Sequence, residues 1–154
     1  MQRLCWLLTM VFVLATATLL YLFVIRGETL PASDGRKAVL LAPGERDLVL
    51  AEMRAFLVAL QEISQAVVEE DAAIAAAAAR RVGAAAQQGM PAGLAGKLPL
   101  EFKRLGFDTH SRFDQLALNA EQFGDSAQVL PELATLMQNC IACHAAYRID
   151  LEQP

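Results

Sequence analysis

Residues 130–148 read LPELATLMQNCIACHAAYR. Within this stretch Leu133, Leu136, Met137, Cys140, Ile141, His144 and Tyr147 recur every three or four positions, which is the spacing of one helix face. Pro131 fits if regular helix begins near Leu130, because the first helical turn has no use for its amide hydrogens. Positions three and four apart are neighbours on a helix surface. Cys140, Cys143 and His144 therefore stand on one side of the last helix, near its end.

The same periodicity, followed upstream, predicts three more helices. Gly124 stops a helix running from about Thr109 to Phe123, with Phe113, Leu116, Leu118 and Ala120 as core candidates, and Asp125 or Ser126 opens the one after it. Before it lie a loop over 89–99 and a short apolar piece over 100–107. Asp71 caps a second helix with Ile74, the run Ala75 to Ala79, and Val82, which Gly89 and Pro91 end. Its alanines present a thin face to another helix, in this chain or across a dimer. The first helix spans about Glu45 to Glu70, with Leu48, Met53, Phe56, Leu57, Leu60, Ile63 and Val67 in one stripe and Glu45 and Asp47 near the positive end of its dipole. Four amphipathic helices with no alternating strand-like run predict an all-α, up-down-up-down four-helix bundle over 45–154.

The amino-terminal segment, 1–26, is of another kind. From Leu4 to Ile25 every residue is apolar or a threonine, a run of about 22 residues, and at ~1.5 Å per residue this crosses the ~30 Å hydrocarbon core. A cleaved secretory signal is the competing reading, because Ala15-Thr16-Ala17 has the shape of a cleavage site. Its apolar region should stop after ~7–15 residues, however, and here Leu19 to Ile25 prolong it. Cys5 sits within this span as a small apolar residue, without the small residues that precede a lipidated cysteine. Residues 27–44, with Pro31, Gly35 and Pro43, read as a tether whose contour reaches roughly 60 Å at ~3.3 Å per residue, unless Val39, Leu40 and Leu41 pack onto the domain. The mean hydropathy of +0.35 reflects the membrane run and the alanines more than an unusual core. All seventeen acids but only eleven of the thirteen bases follow residue 27. That acidic balance shows no nucleic-acid footprint and suits a basic protein partner. Arg80-Arg81 and Lys103-Arg104 read as solvated faces.

Cys140-Ile141-Ala142-Cys143-His144 has the C-x-x-C-H spacing of covalent haem attachment. Two thiols on one face can meet the two vinyl groups of a porphyrin while the imidazole of His144 lies beneath the iron. Zinc would need four ligands, and outside the membrane run only His110 remains as a further histidine or cysteine. A thiol–disulfide pair belongs at a helix start in a βαβ unit, whereas this motif lies near a helix end.

The continuation Ala145-Ala146-Tyr147-Arg148 makes the ending resemble the C-x-x-C-H-x-x-[FY]-[RK] signature of the cytochrome c prime superfamily. The four-helix order and the Met53-Arg54 pair in the first helix extend the resemblance over about Glu45 to Arg148. It implies one haem c per chain, with Cys140 and Cys143 as thioether anchors, His144 as the proximal iron ligand and Arg148 near the proximal imidazole. It also implies a domain on the outer face of the bacterial inner membrane, in the periplasm, and admits a homodimer through the first two helices. Members differ in whether a first-helix methionine completes the iron, and Met53 is the residue in question. In such a bundle the start of the first helix and the end of the fourth share an end, which brings Met53 and His144 to within a turn of the same level. Met53 as a gap-filling core residue is the alternative, and His110 is a second distal candidate, otherwise a partly exposed first-turn residue or a propionate contact. Met53 as ligand predicts an electron carrier working with redox partner proteins at the membrane, and an open distal side predicts a gas-binding haem protein. No nucleophile, base and orienting group form a catalytic set, so no enzyme is predicted.

Overall fold

The computed structural model describes residues 2–152. Among these the chain is mostly helical, with six α-helices and three short strands. Helix α1 (Gln2–Leu20) continues into a wider π-type turn at Tyr21–Arg26. Strands β1 (Thr29–Pro31) and β2 (Lys37–Leu41) follow, then α2 (Pro43–Val68), α3 (Ala72–Arg80), a 3₁₀ turn at Ala84–Gln87, and α4 (Ala92–Lys97). Helix α5 (Leu100–Phe123), α6 (Ser126–Ala146) and β3 (Tyr147–Leu151) complete the chain.

Local chemistry sets the helix ends. Pro43 opens α2, and the Ala42 amide donates to the Glu45 carboxylate at 2.9 Å. Asp71 caps α3 as its sequence suggests, accepting from the Ile74 amide at 2.9 Å. Gly124 ends α5 in the left-handed conformation. Two helices differ from the expectation. Helix α3 stops at Arg80 rather than Gly89, because the chain turns at Val82–Gly83, where Asp114 accepts the Ala84 amide at 2.8 Å. A side chain at Gly83 would overlap that carboxylate. Helix α5 begins after Pro99 and absorbs the apolar piece over 100–107, so that Gly106 lies inside it.

Helix α3 packs on α2 and α5, α5 packs on α6, and α2 returns to α6. The alanine face closes inside the chain: Ala72, Ala75, Ala76, Ala78 and Ala79 are all buried, and small side chains let the backbones approach. Around them Ile63, Phe113, Leu116, Leu133 and Leu136 form the main core, with Phe56 stacked on Phe113 at 5.5 Å.

The expectation of helices alone is corrected by a three-stranded sheet in the order β1-β2-β3. Strands β2 and β3 run parallel, Lys37 opposite Tyr147 and Leu41 opposite Leu151, so the whole helical domain is their crossover connection. Val39 and Leu41 are fully buried and pack with Leu98, Phe102 and Tyr147 in a second core. The segment 27–44 is therefore part of the folded domain rather than a loose tether, as the alternative placement of Val39 to Leu41 allowed.

The amino-terminal helix is hydrogen-bonded to the domain beside this second core. Residues Gln2–Arg26 form one continuous helical rod, fully exposed and long and apolar enough to cross a membrane. At its end the Glu28 amide donates to the Lys97 carbonyl at 2.7 Å, and the Lys103 ammonium donates to the Val24 carbonyl at 3.1 Å. Lys97 in turn bridges the carboxylates of Glu45 and Glu152, which hold its ammonium above the ordinary lysine range. Lys103 is thus a fastening rather than part of a solvated face.

Candidate functional site

Helix α6 carries Cys140, Cys143 and His144 in its last two turns, with Cys143 packed against the second core. Beyond Ala146 the chain leaves the helix and Tyr147 turns inward, edge-on to Phe102 at 5.4 Å. On the facing wall, Met53 and Phe56 extend from α2, and Phe102, Leu105 and Thr109 from α5. Between the walls lies a cavity of about 430 Å³, within the range of small-molecule and cofactor sites. Cys140, Cys143, His144 and Met53 all line it. Most of the remaining lining is apolar, including Val49, Leu57 and Leu60, with Asn139 and Thr109 among the polar exceptions.

The electrostatics favour neutral thiols. Both cysteines are free, and burial raises the Cys140 thiol, while burial together with Cys140 pushes Cys143 up to about 11. The negative end of the α6 dipole also opposes thiolate formation at this position. Redox-active cysteine pairs need the opposite shift, a pKa lowered at a helix start, so the site is poorly suited to thiol–disulfide exchange. A zinc cage is no better served. Among the described residues no three His, Cys, Asp or Glu side chains converge on a metal position.

His110, the fourth ligand that zinc would need, is engaged elsewhere. It is buried in the middle of α5 at 1% exposure, which corrects the expectation of a partly exposed first-turn residue. Its Nδ1 donates to the Val82 carbonyl at 2.7 Å and lies 3.2 Å from that of Gly83, and Nε2 is 3.0 Å from Glu52 Oε1. The ring closes off the carbonyls at the end of α3 and does not line the 430 Å³ cavity. Burial alone would lower its pKa. The hydrogen bonds to Glu52 and Val82 outweigh burial and hold it above the ordinary histidine value.

Arg148 also lies away from the cavity wall. It belongs to β3 rather than to a last helical turn, its Nε donates to Asp150 at 2.9 Å, and its guanidinium is 3.6 Å from Asp34. Arg36 touches the backbone of the motif. Its guanidinium donates to the carbonyls of His144 and Tyr147, both at 3.3 Å, and so caps the last turn of α6 from a loop 108 residues earlier. Nothing local in the sequence announces Arg36. Asn139 is another residue that the motif does not single out, and it ties α6 to α5 by donating to Asp108 at 2.8 Å.

The donor set and the cavity fit a flat apolar cofactor carrying two thiol-reactive arms and a metal. Two thiols one helical turn apart on α6, the exposed imidazole of His144 as a nitrogen donor and the Met53 thioether from α2 all belong to the cavity lining. His144 is exposed, and its imidazole has no hydrogen-bond partner among the described residues. Comparison with protein-family models, curated proteins and solved structures finds no match for this chain.

Proposed function

We propose that this chain is a membrane-anchored c-type cytochrome in which α2, α3, α5 and α6 act as a four-helix bundle around one covalent haem. The observation that carries the proposal is the meeting of Cys140, Cys143, His144 and Met53 on a single apolar cavity. Cys140 and Cys143 would hold the haem by thioethers, and His144 and Met53 would ligate its iron. Haem iron held in this way supplies one-electron chemistry at a raised potential.

The chain's own residues account for the rest of the behaviour. Phe56, Leu60, Phe102 and Leu105 exclude water, and Arg36 fixes the backbone that carries His144. The helix over Gln2–Arg26 would anchor the domain, and because the motif resembles those whose haem is attached on the outer side of the bacterial inner membrane, we place the domain in the periplasm, passing electrons among redox proteins. We read it as a carrier rather than an enzyme.

The test is the visible spectrum of the reduced protein with and without carbon monoxide. A low-spin spectrum unchanged by the gas is expected, and Met53→Ala should convert it to a gas-sensitive one. A high-spin wild-type spectrum that shifts at once would replace the carrier with a gas-binding protein in which Met53 only packs.

A further inference from the structure

A second cavity, of about 410 Å³, lies against the first. Val49, Glu52 and Phe56 line both, so a single helix wall separates them. Its far side is formed by Met90, Pro91 and Leu94, at the start of α4. This is the membrane end of the domain: the Lys103 ammonium that bonds the Val24 carbonyl also bonds the Ala95 carbonyl at 3.2 Å, one residue from Leu94. The cavity therefore reaches α4, which is bonded to the end of the amino-terminal helix through Lys103, and shares its α2 wall with the proposed haem site. Its chemistry is that of an apolar slot with a polar end. Glu52 commits Oε1 to His110, while Oε2 has no partner among the described residues, and Arg81, Gln87 and Gln88 are the other polar residues of the lining.

We propose that this cavity binds a lipid-soluble hydroquinone drawn from the membrane, which the cytochrome oxidises. The proposal rests on the electron-transfer reading above. The ring and the start of the isoprenoid tail lie against Val49, Phe56 and Leu94. One hydroxyl donates to Glu52 Oε2, and the glutamine amides donate to the carbonyl oxygens of the product. Each hydroquinone loses two electrons and two protons as its two O–H bonds break and two C=O bonds form. The one-electron acceptor would be the haem that Cys140, Cys143, His144 and Met53 would hold on the other side of α2, with an oxidised acceptor protein of the same compartment as the terminal oxidant for each of the two electrons. The protons leave to water at the open side of the cavity.

Binding can be read separately from electron flow. Full-length protein in detergent micelles is photolabelled with a short-chain azidoquinone and mapped by peptide mass spectrometry. Ala51 and Ala55 line this cavity but not the first, and both are exposed on α2, so Ala51→Trp and Ala55→Trp fill it from the solvent side. The expected result is label on peptides from 48–56 and 81–97 in the wild type. At least one tryptophan variant should show a tenfold or greater loss of label with an unchanged visible spectrum, and the same variant should be reduced by a short-chain benzoquinol at least tenfold more slowly. Label elsewhere, label unchanged in both variants, or equal displacement by a long-chain alcohol would overturn the site. Label intact on protein without covalent haem would instead overturn the electron-transfer reading and with it the oxidation step.

Discussion

Gly27→Ala tests whether the amino-terminal helix, long and apolar enough to cross a membrane, is fastened to the domain or merely tethered to it. Gly27 has φ +62° and ψ −167°, a region almost confined to glycine. An alanine there costs about 1–3 kcal/mol in backbone strain. Its Cβ would also overlap the Lys97 carbonyl oxygen and come within 2.6 Å of the Pro99 nitrogen, and both are backbone atoms that cannot swing aside. The cheaper response is for the chain to lift away, losing the Glu28–Lys97 and Lys103–Val24 hydrogen bonds at about 0.5–1.5 kcal/mol each. The loss is therefore about 2 kcal/mol, or roughly 4–8 °C in Tm for a chain of this size. It should appear first as local opening, because the core around Phe113 is remote from the fastening. Limited trypsin digestion in detergent should cut at Arg26, Arg36 or Lys37 at least about tenfold faster than in the wild type, the population effect expected of a change near 2 kcal/mol. Unchanged cleavage and an unchanged Tm would refute the fastened junction and restore a free tether.

Two further perturbations probe the core and the buried histidine. Phe113→Ala removes a fully buried ring stacked on Phe56 and should cost about 3–5 kcal/mol in urea unfolding, and a loss below 1 kcal/mol would contradict its central place. His110 has its folded pKa raised above the unfolded value of about 6.5. Its stabilisation is thus fully present below that value and fades as pH rises through the folded pKa. Wild type should lose more stability than His110→Gln between pH 6 and pH 9, whereas parallel profiles would show that the imidazole is not protonated in the fold.

The parts of this architecture legible in the sequence are those written in local pattern. The apolar run from Leu4 to Ile25, the stripe from Leu48 to Val67, the Asp71 cap and the Gly124 stop each act within a few turns, and the helices follow them. The expectation that Met53 and the motif lie at one end rests on an up-down bundle order together with their positions in the helices, and both line the same cavity. What escaped depends on contacts distant in the chain. Strand β3 does alternate, with Tyr147 and Ile149 packed inward and Arg148 between them. Five residues continuing a strong helical period read as helix until β2, more than a hundred positions earlier, offers its edge. Arg36 reaches the His144 carbonyl over 108 residues, and His110 closes α3 over 28, so neither role leaves a local signal. The cavity beside α4 is likewise a product of assembly, since Leu94 and Glu52, more than forty positions apart, line it together.

The claim that bears the most weight is that Cys140 and Cys143 carry haem. Full-length protein expressed with a cytochrome c attachment system and recovered from membranes can be run on a denaturing gel and stained for haem peroxidase activity, with the haem-to-chain ratio measured alongside. One haem per chain that survives denaturation is the predicted result, and Cys140→Ala/Cys143→Ala should abolish the stained band. A membrane-inserted, folded chain with no covalent haem would contradict the account.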